Sequence, residues 1–335
     1  MKKVKIAVIG INHYSHAKHI FSSIAKHKDI FDLVGYALVE DEREKFGEDL
    51  NKYAGYPEMT LDEILNDPTI EAVAVETEEV HLTKYALMAA RHGKHIHMEK
   101  PGGFDLSEFE ELIATVKKNG TVFHTGYMYR YNPYVLKIME EVKNGDFGEI
   151  YSVEAQMNCY HKPSMRKWLE SFPGGMMMFL GCHLIDLIVG IMGQPQKITS
   201  YCRTTEADGL TPDDFGMAVL EYPHGVSFAK TTAIEVGGFD RRQLVINGSK
   251  KTVELKPFEV VENGSVIYTK KTEYTNAEVF TAGGEETRTE LFDRYDAMMS
   301  SFAAMARGEK ENPYTYDYEL EVYKSVLKAC GQYKK

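Results

Sequence analysis

No pair of the four cysteines, Cys159, Cys182, Cys202 and Cys330, makes a CxxC motif or a metal-ligand spacing. Without a secretory context they read as reduced thiols of a cytosolic protein. The chain also lacks a basic excess. A net charge of -11 argues against a nucleic-acid partner, because phosphate binding needs a basic surface. It leaves an anionic cofactor open, since local backbone dipoles can hold one. No window approaches the ~20 apolar residues of a membrane span, and the apolar run after the opening lysines is too short for a signal segment. There is no repeat, low-complexity tract or proline-rich linker. The expectation is a soluble cytoplasmic protein. Its 335 residues, 43% hydrophobic and 27% charged, suffice for two ordinary globular domains.

What is present is a rhythm. Lys3 to Gly10 is a short β-branched run ending in glycine, a buried first strand. His13 to Lys26 has helical spacing, and Phe31 to Val39 reads as a second strand. Thr60 with Glu63 forms a capping box. Ile70 to Val75, Lys94 to Glu99 and Thr121 to Gly126 are further strands, separated by helices that Gly93 and Gly120 terminate. Strands alternating with helices predict a doubly wound parallel sheet, a Rossmann-like domain over residues 1–125.

Beyond it the strands follow one another with short turns, from Ile150 to Leu255. This predicts an α+β domain over residues 126–335 with a large open, mostly antiparallel sheet, interrupted by a helix near Met177 to Met192. Two closing helices, Thr287 to Arg307 and Tyr316 to Lys328, can return to pack on the first domain.

The first strand-to-helix turn is Gly10-Ile11-Asn12-His13-Tyr14-Ser15. Gly10 supplies the tight turn, and Asn12 and Ser15 stand where the usual dinucleotide motif has glycines. A plain strand-loop-helix connection would look similar. After the second strand, Glu40 or Asp41 could accept ribose hydroxyls, which would place NAD ahead of NADP. A solvated acidic loop is the competing reading.

Glu99-Lys100-Pro101 ends the fourth strand, at the carboxyl edge where open α/β sheets bind ligands. Pro101 biases Lys100 to an extended conformation. This stretch resembles the Gfo/Idh/MocA family, the glucose–fructose oxidoreductases, inositol dehydrogenases and relatives, whose hallmark is EKP. The resemblance extends through Ile70 to Thr77 with His81, Arg130-Tyr131-Asn132-Pro133, Gly174-Gly175, Gly181 to Asp186, and the closing helices with Asp317. It implies hydride exchange between NAD or NADP and a hydroxyl-bearing carbon of a sugar, inositol or related polyol. It implies Gly10, Asn12 and Tyr14 along the pyrophosphate, Thr77 and His81 on the cofactor rim, Glu99 near the nicotinamide ribose, and Lys100 touching both cofactor and substrate. It implies, too, oligomer contacts through the open sheet, in a homodimer or homotetramer.

Oxidising an alcohol needs a base for the hydroxyl proton. His183 has a suitable ordinary pKa of ~6.5, and Lys100 would orient the hydroxyl and stabilise a developing alkoxide. Asp186 lies on the same helical face as His183 and could orient the imidazole or a substrate hydroxyl. Arg130, Tyr160 and Trp168 are further candidates for a sugar pocket, which wants aromatic surface and polar donors. Many relatives carry an Asp four residues before the His, where this chain has Phe179. His183 and Lys100 could suffice; another group could compensate; or the site could have left ordinary dehydrogenation. Redox-neutral glycoside elimination or hydrolysis, and a non-catalytic sugar or cofactor sensor, are the alternatives. The twelve histidines lack carboxylate or cysteine partners at ligand spacing, so no metal is expected.

Overall fold

A computed structural model describes residues 2–276, 278 and 283–333. The chain forms two compact units, Met1–Tyr127 with Tyr295–Glu321, and Met128–Arg294 with Val322–Lys335.

In the first unit five strands form one sheet, β1 (Val4–Ile9), β2 (Phe31–Ala37), β3 (Ala72–Val75), β4 (His95–Met98) and β5 (Phe123–Thr125). Their order is β2-β1-β3-β4-β5 and every pairing is parallel. β1 and β3 are almost wholly buried apolar runs, as helices on both faces require. The intervening helices are α1 (Ala17–Lys26), α2 (Glu42–Phe46), α3 (Leu61–Asn66), α4 (Leu82–Arg91) and α5 (Leu106–Asn119). The Thr60–Glu63 capping box opens α3, and Gly120 ends α5 in the left-handed region at φ 65°.

The first helix begins four residues later than its periodicity suggests. Asn12 Oδ1 accepts the Tyr14 amide at 2.9 Å, and Ser15 Oγ accepts the Ala17 amide at 3.3 Å. Such local side-chain bonds compete with helix formation, so residues 11–16 stay a loop.

The second unit opens with α6 (Pro133–Asn144), capped by Asn132. Its main sheet contains β6 (Ile150–Asn158), β7 (Lys197–Arg203), β8 (Phe215–Tyr222), β9 (Gly225–Thr232), β10 (Gln243–Gly248) and β11 (Thr252–Leu255). Strands β12 (Val260–Asn263) and β13 (Val266–Tyr268) form a small sheet, and β14 (Lys270–Tyr274) and β15 (Glu285–Arg288) extend the large one. The large sheet runs β15-β14-β11-β10-β6-β9-β8-β7; its pairings are antiparallel except β6 with β9. Val153, Ala155, Met157, Ala218, Leu220, Leu244 and Ile246 line its buried face. The helix α7 (Pro163–Trp168) precedes a π-helical turn, Met177–Gly181, which leads into α8 (Cys182–Met192).

One expectation fails. Residues 287–307 are not one helix: Glu285–Arg288 is β15, and Phe292–Asp293 forms β16 against β13. Only Asp296–Ala306 is helical, as α9, in the first unit. The open edge of β14 takes the β-branched Thr287 into a ladder, and tertiary pairing overrides the helical pattern. The last helix, α10 (Tyr316–Ala329), matches its expected range within a residue. The strands between Val260 and Tyr274 were not foreseen.

Candidate active site

The first unit gathers its polar residues at the carboxyl edge of the parallel sheet. Gly10 ends β1 at φ +92°, and a Cβ there would lie 2.5 Å from the Thr77 backbone. Only glycine lets the turn after β1 close on the loop after β3. Asn12 is tied into that loop: its amide donates to the Glu76 carbonyl at 2.9 Å, and Nδ2 donates to Glu79 Oε2 at 3.0 Å. Tyr14 packs edge-on against His13 at 5.3 Å between ring centroids. His13, Tyr14, Lys45, Phe46, Glu48 and Asp49 line an open cleft.

Glu40 sits just past β2 with φ 51°, a left-handed conformation rare for a side-chain-bearing residue. Tyr85 OH donates to its Oε1 at 2.9 Å, Lys84 pairs with it, and His81 Nδ1 stands 3.7 Å away. Hydrogen bonds from Lys84 and Tyr85 hold this carboxyl below its ordinary range, so it remains ionised.

Glu99 and Lys100 follow β4, and both side chains are buried. Lys100 Nζ lies 3.4 Å from Glu99 Oε1, and His16 Nδ1 approaches the same oxygen at 3.5 Å. Burial opposes ionisation of Glu99, but His16 and Lys100 outweigh it and hold the carboxyl below its ordinary value. Gly126, just past β5, makes room for the pair: a Cβ there would sit 3.1 Å from Glu99 Oε2 and 3.3 Å from the Lys100 amide.

Sequence reasoning missed several neighbours. Glu42 is buried, accepting the Ile11 amide at 3.1 Å and the Val39 amide at 3.0 Å, and burial pushes its carboxyl up to about 7. Glu76, Glu79, His97 and His124 are buried around the Glu99–Lys100 end of the sheet. The acidic run Glu76-Thr77-Glu78-Glu79 directly after an apolar strand was the available signal.

In the second unit, His183 lies in the first turn of α8 and is buried, its ring edge-to-face with Tyr129 at 4.9 Å. Tyr129 is itself fixed, donating from OH to Glu259 Oε2 at 2.7 Å, while Arg242 and Arg294 engage the same carboxylate at 2.8 and 2.7 Å. Asp186, one turn on, takes Arg130 in a bidentate pair: Nε is 3.0 Å from both oxygens and Nη2 is 2.6 Å from Oδ1. Thus Arg130 and Asp186 meet each other. Trp168 packs edge-on against Phe179 at 5.3 Å, and His161 tilts over Phe179 at 6.3 Å. Tyr160 is 60% exposed. Phe179 is thus part of an aromatic cluster with His161 and Trp168.

The first unit's residues fit a nicotinamide dinucleotide. The turn Gly10–Ser15 leads into the N-terminus of α1, where the macrodipole favours an anionic pyrophosphate. Glu99 Oε1 meets Lys100 and His16, while Oε2 is buried without a hydrogen-bond donor, which a ribose hydroxyl could supply. Among the described residues no group of three His, Cys, Asp or Glu side chains is arranged to hold a metal.

Fold and site together define a dinucleotide-dependent oxidoreductase. An oxidoreductase family with an NAD-binding Rossmann fold matches residues 4–127, and the GFO/IDH/MocA C-terminal domain matches residues 135–254. The chain belongs to the Gfo/Idh/MocA family of oxidoreductases, and its cofactor is NAD or NADP.

The Escherichia coli oxidoreductase YhhX is 29% identical over 194 residues, covering 57% of this chain and 54% of that protein. The match thus spans about half of that relative. Myo-inositol 2-dehydrogenase of Thermotoga maritima is 26% identical over 256 residues, covering 74% and 73% of the two chains. The aldose-aldose oxidoreductase of Caulobacter crescentus shares the fold, with a TM-score of 0.76, 19% identity, and 99% and 98% of the two chains covered.

Proposed function

We propose that this protein is a cytoplasmic NAD(P)-dependent dehydrogenase that moves a hydride between the nicotinamide and a hydroxyl-bearing carbon of a sugar, inositol or related polyol. The observation that carries the reading is the buried Glu99–Lys100 pair at the carboxyl edge of the parallel sheet. A buried ammonium is held in place, and beside a low-dielectric reaction centre it stabilises developing negative charge strongly. The likeness to myo-inositol 2-dehydrogenase supports the substrate class.

In this reading the bound cofactor supplies the hydride acceptor. Gly10, Asn12 and Tyr14 hold its pyrophosphate, Thr77 and His81 its rim, Glu40 its adenosine ribose and Glu99 the ribose next to the nicotinamide. Glu40 being ionised favours NAD, since a 2′-phosphate would be repelled. Lys100 orients the substrate hydroxyl and stabilises the alkoxide. His183 takes up the hydroxyl proton, its ring fixed by Tyr129. Tyr160 and Trp168 offer aromatic surface to the C–H face of a ring. The Arg130–Asp186 pair, each partner under 4% exposed, supports the helix that carries His183.

The sheet face opposite the core carries Tyr201, Val219, Val226, Phe228 and Val245, with Val226 52% and Tyr201 45% exposed. Glu154, Glu221, Lys230 and Glu254 alternate with them on the same face, and a homodimer or homotetramer through this mixed face is part of the proposal.

Phe179 in its aromatic cluster favours one second reading, transient oxidation followed by elimination or hydrolysis with no net redox change. Turnover of sugars and inositols with NAD and NADP tests both: reduced cofactor accumulates under the first reading and not under the second.

A further inference from the structure

Glu76 and Glu79 have no part in the assignments above, yet both are buried within the first unit. Glu76 directly follows β3, and Glu79 begins the short helical turn Glu79–His81. Both Glu76 oxygens and Glu79 Oε1 lie buried without a hydrogen-bond partner. His97, inside β4, aims Nε2 at Glu76 Oε1 from 3.5 Å, while its Nδ1 shares a hydrogen bond with His124 Nδ1 at 2.8 Å. Asn12 Nδ2 holds the other Glu79 oxygen.

The charges here do not balance. Three buried carboxyl groups, Glu76, Glu79 and Glu99, act on one buried ammonium, Lys100. Burial lowers the His97 imidazole to about 4, so it adds no positive charge at neutral pH. Tyr53 also feels Glu76, and its own phenol stays protonated. A dry interior does not tolerate two uncompensated carboxylates. Glu99, with His16 and Lys100 beside it, keeps its charge, so Glu76 holds a proton and Glu79 exchanges one near neutral pH. Burial pushes Glu79 up to about 7 against the pull of Lys100, and burial and then Glu99 push Glu76 well above its ordinary range.

We propose that Glu76 and Glu79 form a proton store that holds the charge around Lys100 constant, releasing a proton when the cationic, oxidised nicotinamide cofactor binds and recovering it when that charge is neutralised. The two carboxyls are positioning residues that act through Lys100. In alcohol oxidation the carbon loses a hydride and its hydroxyl a proton. The hydride would neutralise the nicotinamide cation when that cofactor is bound; the hydroxyl proton taken up by His183 passes to solvent, and a carboxylate of the pair takes one proton back from solvent. Alcohol, cationic ring and carboxylate thus become ketone, neutral ring and carboxylic acid, with no change in total charge. The proposal rests on cofactor binding and not on the substrate class, so a failed substrate screen leaves it standing.

The test is calorimetric titration of the full chain at pH 7 with oxidised and with reduced cofactor, NAD and NADP in parallel, in buffers of different ionisation enthalpy. The oxidised form is expected to release up to about one more proton per cofactor than the reduced form. Glu76→Gln and Glu79→Gln should each diminish that excess, and the double variant should abolish it while still binding cofactor. Equal proton release by both forms in the unaltered protein overturns the proposal, whether or not the double variant folds. So does an undiminished excess in the double variant.

Discussion

Lys100 Nζ lies 3.4 Å from Glu99 Oε1, and the two side chains are 0% and 1% exposed. A buried pair contributes little net stability while intact, yet removing one partner strands the other charge. Lys100→Ala should therefore lower turnover by ~10²–10⁴-fold and also destabilise the protein by ~3 kcal/mol or less, as Glu99 regains a proton. Steady-state kinetics and urea unfolding measure the two losses. Turnover within a few-fold of the unaltered protein would remove Lys100 from the chemistry.

Glu79 offers a pH signature in stability. Its folded pKa, about 7, lies above the ordinary 4.5. Its contribution is thus fully present below about 4.5 and is lost as pH rises through about 7. Glu79→Gln should gain stability relative to the unaltered protein between pH 5 and pH 8, by ~1–3 kcal/mol. Urea unfolding at the two pH values reads it, and a difference that stays flat or shrinks with pH contradicts the assignment.

Tyr129 carries His183 on its ring and donates a hydrogen bond from its hydroxyl to Glu259. Tyr129→Phe leaves the ring and removes one hydrogen bond to a buried carboxylate, which costs ~1–3 kcal/mol. His183→Ala should cut turnover by ~10²–10⁴-fold with cofactor affinity kept. Cofactor fluorescence titration beside kinetics separates the two; unimpaired turnover in His183→Ala would assign the proton to another group.

The parallel sheet and its order of helices were legible because β1 and β3 are apolar runs and because Thr60, Glu63 and Gly120 mark helix ends. The end of β4 was equally plain, through Glu99-Lys100-Pro101. The cluster behind it was not. Glu76 directly follows β3, while His97 and His124 lie in β4 and β5, and only the register of these strands brings the three together. The helix expected from Thr287 failed for the same reason, since its fate depends on the edge of β14 far from local periodicity. Arg130 and Asp186 looked like separate pocket residues, and their mutual pairing depends on a contact 56 residues apart in sequence.

The outer face of the large sheet, with Tyr201 and Val226 exposed, yields a prediction on assembly. Phe228 pairs across strands with Val219 on one side and Glu154 on the other. Phe228→Glu replaces an aromatic ring with a second carboxylate beside Glu154 on the face away from the core. Light scattering on the eluting protein should show a dimer or tetramer for the unaltered chain and a monomer for the variant; a monomer in both would place no partner on this sheet.

The central claim is cofactor-linked oxidation of a polyol at Lys100. Its most direct measurement is the absorbance of reduced nicotinamide during incubation with sugars, inositols and sugar acids, using NAD and NADP separately, for the unaltered protein and Lys100→Ala. Reduced cofactor should accumulate with at least one of these substrates and fail to do so in the variant. No accumulation with any of them, or equal accumulation without Lys100, would contradict it.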